Sequence, residues 1–277
     1  MIATDAPASR AREATRLRTA IAGGASVVDA LLAGALLVLG WYILTAAVDR
    51  IPPAHDVFAA CLDIVSYGGS YKDLWATLRR IVTSFLLAFA IGGVAGGLSG
   101  TSMFARSFLR PWVVVGMSAP MPVLIVTSVL IFGIGESSAL IALTVSVAPF
   151  VATIVGDAVA GHDRQLDELG RVFRLSRPAR LRHVLIPQIT PALLAAGRTG
   201  FSLCWKLVVV VEALASSAGV GNRMHRDFKL LQTDRMIAWA LVFTVVMKVV
   251  DVAVFQPVER RSLRWMRASR SAGAVVA

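Results

Sequence analysis

Cysteine, histidine and charge are all scarce in this 277-residue chain, and each shortage closes off a class of chemistry. The two cysteines, Cys61 and Cys204, make no disulfide framework, and Cys204 sits inside an apolar run where a thiol behaves as a small hydrophobe. The four histidines, His55, His162, His183 and His225, lie far apart, and none stands at metal-ligand spacing from a cysteine or carboxylate. They read as solvated or interfacial imidazoles, and no metal site is expected. A glycine-rich loop ending in lysine and a hydroxyl residue, the cradle that nucleotide hydrolysis requires, is missing. No nucleophile and base stand in a recognisable catalytic arrangement either, so no catalytic residue and no bound cofactor are assigned to this chain. Only 16% of residues are charged against 56% hydrophobic, which is more apolar surface than one soluble core of this length can bury.

The charge that is present has a direction. Twenty-eight Lys and Arg against 17 Asp and Glu give +11, a balance that suits nucleic acid when it gathers on one polar face. Here the basic residues fall between and beyond long apolar runs, as they do in the cytoplasmic loops of membrane proteins, so the expected partner is a lipid membrane and not nucleic acid. Crossing about 30 Å of hydrocarbon takes roughly 20 helical residues. Six runs qualify, at 27–48, 81–100, 112–132, 138–159, 189–214 and 236–255, which makes the expected fold all-α and polytopic with about six transmembrane helices. Arg10, Arg12, Arg16 and Arg18 ahead of the first run resemble a secretion signal, but the run is longer than the usual core of about 7–15 residues, and Trp41 and Tyr42 near its far end suit an interface. It is read as a retained span. The chain then divides into a basic tail 1–26, a first helix with an external segment 27–80, a core 81–255 containing a polar loop 162–188, and a basic tail 256–277. With the N-terminus inside, the segments 1–26, 101–111, 160–188 and 256–277 hold seventeen Lys or Arg against eight on the opposite side, so both termini are expected in the cytoplasm.

Within the spans, Gly92, Gly93, Gly96, Gly97 and Gly100 set glycines four apart on two adjacent faces, a pattern for close helix packing or for a sliding contact. Pro120 and Pro122 interrupt the third run beside Ser118 and Met121, giving either a packed kink or a broken helix bordering a path. Ionisable residues are costly at this depth, and five occur: Arg198, Lys206, Glu212, Lys248 and Asp251. Lys248 and Asp251, three apart, suit an intrahelical pair near an interface, and Arg198 is a comparable case. Lys206 lies near mid-span. It either lines a path for an anion or pairs with a carboxylate such as Glu212 or Asp157.

The polar loop reads HDRQLDELGRVFRLSRPARLRHVLIPQ. Leu166, Leu169, Val172 and Phe173 recur at helical spacing, and Leu181, Val184 and Leu185 do so again after a break at Ser176, Arg177 and Pro178. Two short helices are expected, the second capped by Ser176, started by Pro178 and ended by Pro187. By pattern alone the pair either lies on the membrane or docks in a partner's groove.

The same residues resemble the coupling loop of the transmembrane subunits of ABC importers, whose pattern is a glutamate, two small residues, a glycine six after the glutamate and a hydrophobic-Pro pair ending thirteen after the glycine. Glu168 takes the glutamate position, followed by Leu169 and Gly170, and Ile186 with Pro187 closes the pattern. Arg174 stands in place of the glycine, which points to a turn of another backbone shape, because the left-handed conformation that glycine accepts strains a side chain. The resemblance covers residues 74–265 and is closest to the branch importing nitrate, sulfonates, taurine and related compounds. It rests further on Thr77, Leu78, Arg79 and Arg80, on Ala119 to Pro122, on Phe132 to Glu136, on Gly197, Arg198, Glu212, Gly219 to Gly221 and Asp251, and on the basic tail through Arg264 and Trp265.

The resemblance implies a permease subunit of type I importer fold in a bacterial cytoplasmic (inner) membrane, moving a small polar, anionic solute of sulfonate, nitrate or organic-acid type. A second copy of the chain would complete the pore, two ATP-binding subunits would hold ATP and Mg, and an extracytoplasmic solute-binding protein would deliver the cargo. Coupling to the ATPase falls to Glu168, Gly170, Arg171, Phe173, Arg174, Leu175, Ser176 and Pro187, with Glu168 capping or orienting the hairpin. The translocation path falls to Ser118, Pro120, Met121, Pro122, Lys206 and Glu212. The alternative is an ion-coupled secondary carrier working through Lys206, Glu212 and Asp251, which leaves the patterned loop without a task.

Overall fold

A computed structural model of the chain describes residues 29, 32–36, 38–48, 51–255, 257 and 258. The expected basic tails, at 1–26 and, apart from residues 257 and 258, at 256–277, lie outside the described residues. So does the start of the first expected span. Among the described residues all regular structure is helical. The chain forms two units, residues 1–59 and 60–277. In the first unit the described residues of the first expected span lie in helix α1 (Leu32–Ala47), and Trp41 Nε1 donates to Pro52 O at 3.2 Å. Helix α2 (Ala54–Ser66) runs across the division between the units.

The second unit holds α3 (Gly68–Thr101), α4 (Met103–Ser118), α5 (Met121–Phe132), α6 (Glu136–Ala160), α7 (Arg164–Val172), α8 (Arg177–Arg180), α9 (Ile186–Ala215), α10 (Val220–Lys229) and α11 (Thr233–Val250), with π-helical turns at Leu181–Leu185 and Asp251–Phe255. Four described stretches are long and apolar enough to cross a membrane: Gly68–Thr101, Glu136–Ala160, Arg177–Ala215 and Thr233–Phe255. Counting α4 and α5 as one bent span makes five among the described residues, and the first of the six expected runs, 27–48, lies partly outside them.

Helix α6 is the centre of the core. Small and β-branched residues such as Ala139, Ala142, Val147, Val151 and Val155 are buried along it, so neighbours approach from several sides. Helix α3 lies closest, along one of its two glycine stripes. A Cβ on Gly92 would strike Ala148 and Val151, one on Gly96 would come within 2.5 Å of Ala152 O and 2.9 Å of Gly156 N, and one on Gly100 would meet Gly156 and Val159. Contacts that advance together along both sequences mean that α3 and α6 run parallel. Gly93 and Gly97, on the second stripe, have nothing within 4 Å. Packing therefore accounts for one face only.

The backbone decides between the two readings of the third run and overturns two other expectations. The run 112–132 is not one helix. Ala119 is extended, as a residue preceding proline avoids the helical region, Pro120 is extended at the cap position of α5, and α4 and α5 meet there at a bend of 102°. Helix α4 also begins at Met103, with Ser102 Oγ accepting from Ala105 N at 3.4 Å, so residues expected in a loop are helical. Pro187, expected to end the second hairpin helix, does not. The chain stays helical from Arg177 to Ala215, and the wider turn at Leu181–Leu185 lies directly ahead of the proline, which has no amide to donate.

Candidate functional site

The hairpin between α6 and α9 is built as a rigid projection. Asp163 starts α7 by accepting from Gln165 N at 2.8 Å, and its own amide donates to Gln188 Oε1 at 2.8 Å, tying the beginning of the hairpin to its end. Helix α7 closes with paired bonds of a Schellman motif, Arg174 N to Arg171 O at 2.9 Å and Leu175 N to Gly170 O at 3.0 Å. That motif demands a left-handed residue after the cap, and Arg174 supplies it with φ 54°. The turn thus has the shape that a glycine would take, and the expectation of a different backbone is overturned: two hydrogen bonds and the fold-back of Leu175 hold the arginine there.

Asp167 clamps the two arms. It accepts from Arg171 at 3.1 Å and from Arg180 Nη1 at 3.2 and 3.3 Å, and the Arg180 stem covers buried Gly170, where a Cβ would sit 3.4 Å from it. Sequence reading missed Asp163, Asp167 and Arg180, although Asp167 and Arg171 stand at helical i,i+4 spacing. Glu168 neither caps nor orients the hairpin. It is exposed and has no ion pair among the described residues, because the neighbouring acids take those tasks. Ser176 occupies the cap position of α8, but its side chain makes no cap bond, and Pro178 sits at the helix start as expected. Between the arms Leu166, Leu169, Val184 and Pro187 line a groove of 340 Å³. At the tip Val172 is 77% and Phe173 71% exposed, with Arg171, Arg174 and Arg177 exposed around them. An apolar knob in a basic ring can enter a partner's groove rimmed by acidic groups.

The opposite end of the bundle carries a buried charge cluster. Arg80, 1% exposed, donates through Nη1 to Glu212, which is 0% exposed, and through Nη2 to Glu136 Oε2 at 2.5 Å and Ser216 Oγ at 3.1 Å. Arg79 adds a second contact to Glu136 at 3.3 Å. Thr77 donates to Glu212 Oε2 at 2.9 Å while accepting from Val220 N at 2.9 Å, and Gly221 N donates to the same carboxylate oxygen at 2.9 Å. Gly219, at φ 113°, permits this approach, since a Cβ there would strike the Glu212 carboxylate. Beside it Asp73 accepts from Gly219 N at 3.1 Å and from Arg223 Nε at 2.7 Å. Burial raises the Asp227 carboxyl above its ordinary value, against the pull of Arg235, Arg223 and Arg226. The cluster joins α3, α6, α9 and the turn into α10.

This arrangement corrects the path assignment for Glu212, whose carboxylate is enclosed and fully committed to Arg80, Thr77 and Gly221. It also excludes the pairing with Lys206 within one chain. Six residues apart on α9, the two side chains point about 120° apart at 3.6 residues per turn. Lys206 is exposed, its Nζ 6.0 Å from the neighbouring Trp205 ring, and Thr199 and Ser202 precede it along the same side of α9. Asp157 lies elsewhere, in a cleft with Arg106 and Arg110. Asp251 forms an ion pair with Lys248 at 3.8 Å and accepts from Arg198 at 3.5 Å, so the expected i,i+3 pairing is present. Ser118, Pro120, Met121 and Pro122 surround the α4–α5 bend, where Ser118, Pro120 and Pro122 are exposed. The carrier reading loses its chemistry here, since its three charged groups are dispersed over both ends and the middle of the bundle.

Comparison with known proteins agrees with this geometry. The family described as the binding-protein-dependent transport system inner membrane component matches residues 85–260. A probable ABC transporter permease protein of Brucella melitensis is 29% identical over 238 residues, covering 85% of this chain and 96% of the relative. A putative aliphatic sulfonates transport permease protein of Bacillus subtilis is 28% identical over 243 residues, covering 85% and 86%. Among solved structures, the inward-facing MetNI methionine ABC transporter aligns with a TM-score of 0.60 at 22% identity, over 70% of this chain and 96% of that one, which speaks to the fold.

Proposed function

Because the chain belongs to the family of binding-protein-dependent transport system inner membrane components, in the branch that includes sulfonate, taurine and nitrate permeases, we propose that it forms the membrane path of an importer powered by a separate ATPase. The observation that carries this reading is the hairpin at 163–188. The Asp167–Arg180 clamp holds its two arms together, and the exposed Phe173 at its tip, ringed by arginines, suits a handle that docks in a partner's groove.

In this reading Phe173, Leu175 and Ser176 enter a groove on an ATP-binding subunit that holds ATP and Mg, and Glu168, Arg171 and Arg174 meet charges on its rim. Gly170 and Pro187 shape the handle. Two copies of the chain face each other to complete the pore, with two ATP-binding subunits on the hairpin side and a solute-binding protein on the other. The hairpin and both termini lie in the cytoplasm, and the membrane is the bacterial inner membrane. The cargo is a small anion of sulfonate type. Lys206 supports that choice, because an exposed cation near mid-span is too costly to face lipid and so faces the path or the second copy. The bend at Ser118, Pro120, Met121 and Pro122 borders the same path.

The test is reconstitution of the chain with its ATP-binding and solute-binding partners in vesicles. Phe173→Ala and Glu168→Arg are expected to leave assembly intact while abolishing uptake and its stimulation of ATP hydrolysis. Unchanged uptake and stimulation in both variants, or uptake by the lone chain driven by an ion gradient, refutes the reading.

A further inference from the structure

Helix α10 begins and ends at one depth. On α6 the stretch between Glu136 and Asp157 carries no charged residue, and its middle marks the bilayer midplane, which puts Glu136 about 16 Å away at about 1.5 Å per residue. On α11 the uncharged stretch lies between Arg235 and Lys248, and the same measure puts Leu231, just ahead of that helix, about 16 Å from its middle. Half the hydrocarbon thickness is about 15 Å. Glu136 shares Arg80 with Glu212, and the first turn of α10 is fastened to that cluster, Val220 N to Thr77 and Gly221 N to Glu212, each at 2.9 Å. One end of α10 is therefore held at the hydrocarbon boundary and the other runs into Leu231 at the same boundary. The helix lies along the membrane surface, on the face away from the hairpin.

Its two flanks differ. Gly221 faces the midplane: a Cβ there would strike Val209 O and Glu212 Cβ, and Val209 lies deeper on α9 than Glu212. Phe228 comes two turns after Gly221, hence on the same flank, and is 61% exposed. Arg223 faces outward, donating through Nε at 2.7 Å to Asp73, one turn beyond Thr77 on α3, and Arg226 follows it along that flank. Helix α10 then closes as α7 does. Leu231 N donates to Phe228 O at 3.1 Å and Gln232 N to Asp227 O at 2.9 Å, a Schellman motif whose left-handed residue is Leu231, at φ 59°. Glycine fills that position without strain. A leucine there, 85% exposed, gains nothing in water, whereas at the hydrocarbon boundary its apolar surface is stabilised. Arg226 and Lys229, both exposed, complement lipid phosphates and would repel their own counterparts if a second copy met this surface.

We infer that α10 and the turn after it form a lipid-binding edge, with Phe228 and Leu231 seated in the acyl boundary of a phospholipid leaflet and Arg226 and Lys229 at its phosphates. The inference rests on the membrane setting of the chain and is independent of what the chain carries.

The experiment reconstitutes the full chain in phosphatidylethanolamine and phosphatidylglycerol vesicles. Cys61→Ala removes the accessible thiol, while Cys204, 0% exposed, stays in place and takes no reagent. A bimane fluorophore is attached in turn to Phe228→Cys, Leu231→Cys, Arg226→Cys and, as a deep reference, Val245→Cys, an exposed α11 position about 5 Å from the middle of its uncharged stretch. Nitroxide lipids labelled near the headgroup end or near the methyl end of the acyl chain report hydrocarbon, and iodide on both sides of the vesicle reports water. Positions 228 and 231 are expected to be quenched by the shallow nitroxide and to lose iodide quenching, position 226 to keep iodide quenching, and position 245 to answer to the deep nitroxide. All four side chains are exposed, and thermal unfolding matched to the parent chain verifies that the labelled variants remain folded. Iodide quenching at 228 and 231 equal to that at 226 overturns the inference, because the turn then stands in water. Protection of 228 and 231 from iodide and from both nitroxides overturns it too, and assigns the patch to a second copy or another protein.

Discussion

Glu212→Gln removes one charge from a place where no water can compensate for it. Arg79, Arg80, Glu136 and Glu212 together are neutral, so the variant leaves an excess positive charge beside a guanidinium that is 1% exposed. It also turns an amide donor towards Arg80, or else towards Thr77 and Gly221, which already donate to this carboxylate. Breaking a buried ion pair costs about 3–5 kcal/mol, and the remaining Glu136 carboxylate at 2.5 Å offsets part of that, which leaves about 2–3 kcal/mol. Glu136→Gln costs less, about 1 kcal/mol, because that side chain is 38% exposed and water screens it. At roughly 2–4 °C per kcal/mol for a domain of this size, Glu212→Gln should lower the unfolding temperature of the detergent-purified chain by about 5–10 °C and Glu136→Gln by less than about 4 °C. The double variant Arg80→Met/Glu212→Leu should recover most of the loss, since it removes both desolvated charges together. Equal shifts for the two glutamine variants, or a double variant destabilised by the sum of its singles, would refute the cluster as the lock on this end of the bundle.

Arg174→Gly relieves the left-handed arginine without changing the turn, and about 1 kcal/mol of stabilisation should slow exchange of the Leu175 amide roughly fivefold; faster exchange contradicts the Schellman assignment. Gly96→Leu should prevent folding or strongly destabilise the bundle, whereas Gly97→Leu, with nothing within 4 Å, should leave thermal unfolding within a few degrees of the parent chain. Asp167→Asn frees Arg180 and should make the 163–188 hairpin more susceptible to limited proteolysis while the unfolding temperature of the bundle holds. In reconstituted transport, Lys206→Met should weaken uptake of an anionic sulfonate about tenfold or more, and unaltered rate and affinity would remove the anion argument.

Much of the fold is legible in composition because hydrocarbon leaves the backbone few choices: a long apolar run must satisfy its own amides, and the helix is how one chain does so. The glycines at 92, 96 and 100 announced a close contact for the same local reason, the absence of a Cβ. The hairpin's helical spacing and Pro178 start were readable from neighbouring residues. Asp163 and Asp167 were not, because an acid next to Glu168 looks like any other solvated charge until the partner arm brings Gln188 and Arg180 against it.

By itself the sequence determined that this chain lives in a membrane, is helical, and carries a patterned polar hairpin between two spans, since each of these follows from the transfer energy of residues adjacent along the chain. Only the tertiary structure decided that α3 and α6 run side by side in the same direction, that the interruption at Pro120 and Pro122 is a bend of 102° and not a packed kink, and that Glu212 belongs to Arg80 rather than to a path or to Lys206. The physical reason is distance along the chain. Arg80 and Glu212 are separated by 132 positions, and a charge pair of that kind has no periodicity to betray it until folding removes the water between its members.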